Sequence, residues 1–122
     1  MTMRRFVALP LLAIGAAACS HYEIPASHVT APSTSIQNAQ AAGAHTTNPE
    51  SAARLQMAKD ELAAARQLDR SGKKRSADLM YLRADTDARI ASSGAYERAV
   101  TDEARSIQEQ IHAIQTPQAP SR

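Results

Sequence analysis

Between residues 77 and 99 small side chains recur with helical regularity: Ala77, Tyr81, Ala84, Ala88, Ala91, Ala95 and Ala99, at steps of 4, 3, 4, 3, 4 and 4. Positions repeating about every 3.5 residues fall on one face of an α-helix, and a face so used is a seam against another helix. Because this seam is almost wholly alanine, its partner must approach closely. The remaining composition removes the alternatives. There is no Trp, and Phe6 is the only phenylalanine. A chain so poor in large side chains cannot fill a β-sandwich, a barrel or a Rossmann-type core. A length of 122 residues allows one small domain. The expected class is all-α: an antiparallel helical hairpin, with a short preceding helix and a long, projecting C-terminal helix.

Punctuation places these elements. Pro32-Ser33 predicts the start of a short helix running to about Ala42, with Ile36, Ala39 and Gly43 on one face and Gly43 as its stop. Asn48 is a good N-cap, Pro49 fits the first helical position, and Glu50 favours the positive end of the dipole. From there Ala52, Leu55, Ala58, Leu62 and Ala65 make a narrow apolar stripe, Glu50 and Arg54 form an i,i+4 pair, and Ser71-Gly72 ends the helix. The third helix begins near Lys74, and Asp85–Arg89 forms an exposed i,i+4 pair on it. After Ala99 its seam is expected to shift by one position and continue as Val100, Ala104, Ile107, Ile111 and Ile114, until Pro117 and Pro120 close the chain. Ser92-Ser93-Gly94 offers a break, but the uninterrupted period favours one rod.

Length then leaves a remainder. At 1.5 Å per residue the second helix spans roughly 35 Å and a helix from Lys74 to Gln115 roughly 60 Å. The short first helix folds back toward the hairpin tip, so it does not cover the overhang. Ile107, Ile111 and Ile114 have no evident partner within the chain, unless a fold-back at Gly94 buries them. They are the candidate partner-binding residues, for self-association or for another protein's coil.

The N-terminal segment carries a different message. Met1-Thr2-Met3-Arg4-Arg5 is a short positive region, residues 6–14 (FVALPLLAI) are apolar, and Gly15-Ala16-Ala17-Ala18 places small residues before Cys19. This is the anatomy of a secretory signal peptide over residues 1–18, too short to remain as a membrane span. Ala16-Ala17-Ala18-Cys19 resembles a bacterial lipobox, which implies that Cys19 carries covalent lipid; the other reading is ordinary cleavage after Ala18. Ser20 after the cysteine, in place of Asp, implies sorting to the periplasmic face of the outer membrane of a Gram-negative cell. Two or three acyl chains, at about 0.8 kcal/mol per buried methylene, anchor a protein without a transmembrane helix. A single cysteine also excludes an intramolecular disulfide. Residues 19–32, with His, Ser, Thr and two prolines and no period, are expected to form a flexible tether; residues 33–115 form the helical domain and 116–122 a disordered tail.

The leader also accounts for the charge. Arg4 and Arg5 supply the whole formal +2, and the remaining basic and acidic side chains balance. Basicity therefore gives no reason to expect nucleic acid as a partner.

The spacing of Ala31-Pro32, Ile36, Ala39, Gly43-Ala44, Pro49-Glu50, Ala52, Leu55, Ala58, Leu62, Gly72, Ala77, Leu79, Ala84, Ala88 and Ala91 resembles an Ala-rich domain of unknown function in bacterial envelope lipoproteins. The resemblance covers roughly residues 30 to 100. In longer relatives such a segment can precede an OmpA-like peptidoglycan-binding domain; here only the isoleucine-bearing end follows. Thr47-Asn48 stands where Tyr-Ala often precedes the proline. The resemblance implies no catalytic or binding residues.

Other constellations point away from chemistry. His21, His28, His45 and His112 are scattered, with no metal-ligand spacing, so no metal or cofactor is expected beyond the lipid on Cys19. No G-x-S-x-G elbow and no glycine-rich phosphate loop occurs. Asp60-Glu61, Asp85, Asp87 and Asp102-Glu103 read as solvated helix faces, and a narrow hairpin offers no pocket for a small-molecule substrate. An enzyme is not expected. Tyr81 and Tyr96 read as gap-fillers in the alanine seam. The cluster Arg70, Lys73, Lys74 and Arg75 at the hairpin tip reads first as a solvated turn whose cations meet the last carbonyls of the second helix. Its functional reading is contact with an anionic cell-wall polymer or lipid headgroup. The expected role is thus structural or adaptor-like, through coiled-coil contacts, with direct polymer or lipid binding as the alternative.

Overall fold

A computed structural model describes residues 21–116; the leader, Cys19 and the residues after 116 lie outside it. Four helices and no strand make up the described chain: α1 (Ala26–Ala41), α2 (Ala44–Thr47), α3 (Pro49–Arg70) and α4 (Lys74–Gln115). The protein is all-α.

Helix α3 starts and stops where its punctuation dictates. The Asn48 side-chain oxygen accepts the Ser51 N–H at 2.7 Å, and Pro49 occupies the first turn, where its missing N–H costs nothing. At the far end Lys73 N–H bonds Leu68 O and Gly72 N–H bonds Asp69 O, with Gly72 at φ 77°. This Schellman closure needs a left-handed residue, which glycine supplies without strain. It also corrects the expected role of the tip cations, since backbone N–H groups satisfy these terminal carbonyls.

Chain reversal at Gly72 lays α4 antiparallel on α3: as the α3 partner climbs from Arg54 to Glu61 to Asp69, its α4 partner falls from Asp87 to Arg83 to Lys74. Leu55, Ala58, Leu62 and Ala65 of α3 are buried as the stripe predicts, with Ser51 completing the row. On α4 the buried seam is Ala77, Tyr81, Ala84, Ala88, Ala91 and Ala95. It ends there, and Ala99 is exposed. Tyr81 is buried within the seam, whereas Tyr96 faces solvent and fills no gap.

Helix α1 departs from expectation. It begins at Ala26, about two turns before Ser33, so residues 26–32 belong to the folded domain and not to a tether. Pro32 lies inside the helix and is buried. A proline there removes one helix hydrogen bond, at a cost near 3 kcal/mol. Packing of its ring in the row Val29, Pro32, Ile36 and Ala39 offsets that cost. The pairs His28–Asp78 and Ser35–Asp85 share one separation, so α1 runs parallel to α4 from the hairpin tip. Ser33, read as a helix start, instead accepts a hydrogen bond from Arg66 of α3 at 3.2 Å. The body is therefore three helices packed side by side, not two with an accessory.

Helix α4 runs unbroken for 42 residues through Gly94, which excludes a fold-back there. Gly94 has a packing reason. A Cβ at this position would stand 2.7 Å from Ser51 Oγ, and the Asn48 side-chain amide donates to Gly94 O at 3.3 Å. The first turn of α3 thus rests directly on the backbone of α4, and beyond this point α4 continues alone.

Candidate functional site

From Tyr96 to Thr116 every residue is exposed. Val100 is 66% exposed, Ile107 49%, Ile111 48% and Ile114 85%. The overhang expected from the helix lengths is present, about 30 Å of it at 1.5 Å per residue.

Its apolar stripe does not prolong the buried seam, however, and the expected one-position shift is corrected in phase. Five residues separate Ala95, the last buried alanine, from Val100, a rotation of about 140° at 3.6 residues per turn. The direction of the buried seam continues instead as Arg98, Asp102, Arg105, Glu109 and His112. Arg98 bonds Asp102 at 3.1 Å there, and Arg105 lies 3.6 Å from the same carboxylate. That face is charged, so it gives α1 and α3 nothing apolar to extend along.

The isoleucine face does have a continuation, toward the tip and over the back of the body. Stepping down from Ile114, Ile111, Ile107, Ala104 and Val100 in alternating threes and fours reaches Glu97, Ser93, Ile90, Thr86, Arg83 and Leu79. Leu79 and Ile90 are exposed. Helix α4 is therefore two-sided. One seam holds α1 and α3, and the opposite face carries a second heptad-like stripe from Leu79 to Ile114 that the described chain leaves uncovered. A groove of about 940 Å³ beside Asn48, Arg54, Ile90 and Gly94 marks where the first turn of α3 ends against this face. Only the distal half of the stripe stands out in the sequence, because Leu79 and Ile90 lie among the buried-seam alanines.

The basic tip is partly occupied by the protein itself. Lys74 Nζ lies 2.5 Å from Asp69 Oδ1, and the Arg75 guanidinium sits 5.7 Å from the centre of the Tyr22 ring. Arg70 and Lys73 remain exposed. Tyr22 also donates its hydroxyl to Asp78, and His28 Nδ1 lies 2.7 Å from the other oxygen of that carboxylate. These bonds hold Asp78 below the usual carboxylate range, Tyr22 contributing most and His28 next, against the effect of burial. The same bond raises Tyr22, helped by its desolvation. The segment expected to swing freely is thus tied to the tip. Tyr22 and His28 had no signal in sequence, since Asp78, their partner, lies far along the chain.

Two carboxylates expected on solvated faces are in the α3–α4 joint. Asp87 is buried and accepts Arg54 Nη1 at 3.0 Å, and Glu61 accepts Arg83 Nη2 at 2.9 Å. The Glu61 Oε2 atom is buried without a partner. Desolvation raises the Glu61 pKa, Arg83 opposes that, and the neighbouring Asp87 carboxylate raises it further. Arg54 is therefore drawn across to Asp87 rather than held by Glu50. Asp85 accepts Ser35 Oγ at 2.5 Å and has Arg89 3.9 Å away, whereas Asp60, Asp102 and Glu103 are exposed as expected.

Among the described residues no three His, Cys, Asp or Glu side chains gather as a metal site, and no helix is long and apolar enough to cross a membrane. Comparison with protein-family models, curated proteins and solved structures finds no match.

Proposed function

We propose that this chain is a lipid-anchored periplasmic adaptor that works through helix–helix contacts made by α4. The observation that supports this most is the unpartnered stripe of Val100, Ile107, Ile111 and Ile114 on a helix continuing beyond its own bundle. Burying three isoleucines contributes about 1.5–3 kcal/mol each before the cost of association. Lipid on Cys19 gives the adaptor its membrane, with Ser20 directing it to the outer one. The tie between Tyr22 and the hairpin tip supports a defined arrangement, because Tyr22 is only three residues along the chain from Cys19. Three extended residues reach about 10 Å, so an anchored chain keeps its tip, with Arg70 and Lys73, at the headgroups. The cationic tip then assists the anchor and is not the principal binding surface.

The test is a photo-crosslinking residue at position 111 of the full chain in a Gram-negative envelope, with products read by gel and mass spectrometry. The adaptor reading expects a discrete crosslinked protein. Absence of any crosslinked product overturns it.

A further inference from the structure

The adaptor reading leaves the occupant of the α4 far face open, and the following inference rests on that reading. We infer that the partner is a second copy of this chain, paired antiparallel along the whole stripe from Leu79 to Ile114.

Three observations converge on this. The first is length. The stripe divides at Glu97 into a body half, from Leu79 to Ser93, and an overhang half, from Val100 to Ile114. Each half spans about 20 Å of helix. The overhang of one copy therefore matches the back of the other copy's body, and a two-fold axis satisfies both halves at once.

The second is side-chain matching. With the axis beside residues 95–96, Leu79 meets Ile111 of the second copy, Ile90 meets Val100 and Thr86 meets Ala104. The small Ser93 faces Glu97, and Tyr96 meets its own counterpart at the flank. Leu79, Ile90, Val100 and Ile111, all exposed, fall within this contact, and Ile107 lies over the aliphatic stem of Arg83, whose guanidinium turns to Glu61.

The third is charge, which selects the direction. The body half of the far face presents Arg89, Arg83 being turned to Glu61 of α3, and the overhang half is flanked by Glu97 and Glu103. Antiparallel pairing sets Arg89 beside Glu103 of the second copy. Parallel pairing leaves Arg89 and Glu103 about 21 Å apart along the helices, so charge favours the antiparallel direction. Arg89 is available, since it is largely exposed and its only carboxylate neighbour among the described residues, Asp85, is 3.9 Å away.

The geometry has a consequence for attachment. The two hairpin tips stand at opposite ends of the pair, about 65 Å apart along the paired α4 helices. Two anchors at that spacing lay the pair along the membrane surface, and each strengthens the other through effective concentration.

Cysteine substitutions in the full chain, oxidised in intact envelopes and run on non-reducing gels beside the unsubstituted chain, test this. Residues 79 and 111 are about 48 Å apart on one helix, so no disulfide between them forms within a chain. The expected result is a covalent dimer from Leu79→Cys with Ile111→Cys, and none above background from Ile111→Cys alone. Arg89→Glu should reduce the dimer about five-fold, the range of an exposed pair made repulsive, and adding Glu103→Arg should restore it. A dimer from Ile111→Cys alone, no dimer from the double variant, or indifference to Arg89→Glu overturns the inference. A crosslink from position 111 to a different protein, with no dimer, overturns it while leaving the adaptor reading standing.

Discussion

Gly94 sets two effects of similar size against each other, and the contact geometry decides between them. In the interior of a helix, alanine is favoured over glycine by about 0.8–1.0 kcal/mol. On that ground alone Gly94→Ala stabilises α4. The new Cβ, however, stands 2.7 Å from Ser51 Oγ, closer than such atoms tolerate. Ser51 is buried in the first turn of α3, so the contact is relieved only by turning its hydroxyl or by pushing α3 away. An off-rotamer side chain costs about 0.5–1.5 kcal/mol. The single substitution should therefore leave stability between about 0.5 kcal/mol higher and about 0.7 kcal/mol lower.

Removing the obstructing oxygen exposes the hidden gain. In a Ser51→Ala background, Gly94→Ala should stabilise by about 0.8–1.0 kcal/mol, a rise of roughly 4–8 °C in Tm for a domain of this size. Urea and thermal unfolding followed by circular dichroism on the four members of the cycle measure the coupling directly. The expected interaction between the two sites is about 1 kcal/mol. If Gly94→Ala stabilises equally with serine or alanine at position 51, α3 does not rest on α4 at this point, and the account of where the overhang begins is wrong.

Glu61 and Asp78 give a pH signature. The folded Glu61 pKa is raised from its ordinary 4.5, so its contribution is fully present below 4.5 and is lost as pH rises through the raised value. Asp78 is lowered from its ordinary 3.8, so its contribution is present above 3.8 and is lost as pH falls through the lowered value. The urea midpoint should decline on the alkaline side of about pH 4.5, and Glu61→Gln should flatten that limb while leaving the acid limb in place. A midpoint that keeps its decline in Glu61→Gln assigns the titration elsewhere. Tyr22→Phe removes the hydroxyl that Asp78 accepts; amide exchange should quicken over residues 26–32 while the α3 amides keep their protection, and unchanged exchange at the start of α1 would refute the tie.

What was legible in the sequence is what depends on near neighbours. Asn48-Pro49 and Gly72 mark the ends of α3 because capping and left-handed closure are local events. The alanine seam is legible because one face of one helix repeats along the chain. At Pro32 the sequence predicts a boundary, but tertiary packing overrides the local rule, and nothing local records that its ring will be buried. The ties Tyr22–Asp78 and Arg54–Asp87 join residues 56 and 33 positions apart, beyond any periodic signal. The candidate surface was half visible for a geometric reason. Steps of three and four look continuous across residues 95 to 100, but the stripe crosses to the opposite side of α4 there.

That crossing bears on why the chain is built as it is. The core is alanine, with Ile36, Leu55, Leu62 and Tyr81 as its larger members, whereas Leu79, Ile90, Val100, Ile107, Ile111 and Ile114 are exposed on one helix. Burial of a large aliphatic side chain contributes about 1.5–3 kcal/mol, so the stripe on α4 holds apolar surface that the fold leaves unused. The overhang gains nothing from its isoleucines as an isolated helix, because β-branched side chains are poorer helix formers than alanine. It is helical because residues 74–95 are already held in the seam, which removes the nucleation cost, and because pairs such as Arg98–Asp102 favour its continuation. Within the body, a chain selected only for its own stability would turn Leu79 and Ile90 toward α1 and α3 and leave alanine outside. The reverse arrangement, maintained along about 50 Å of α4, is what a helix shared with a partner requires.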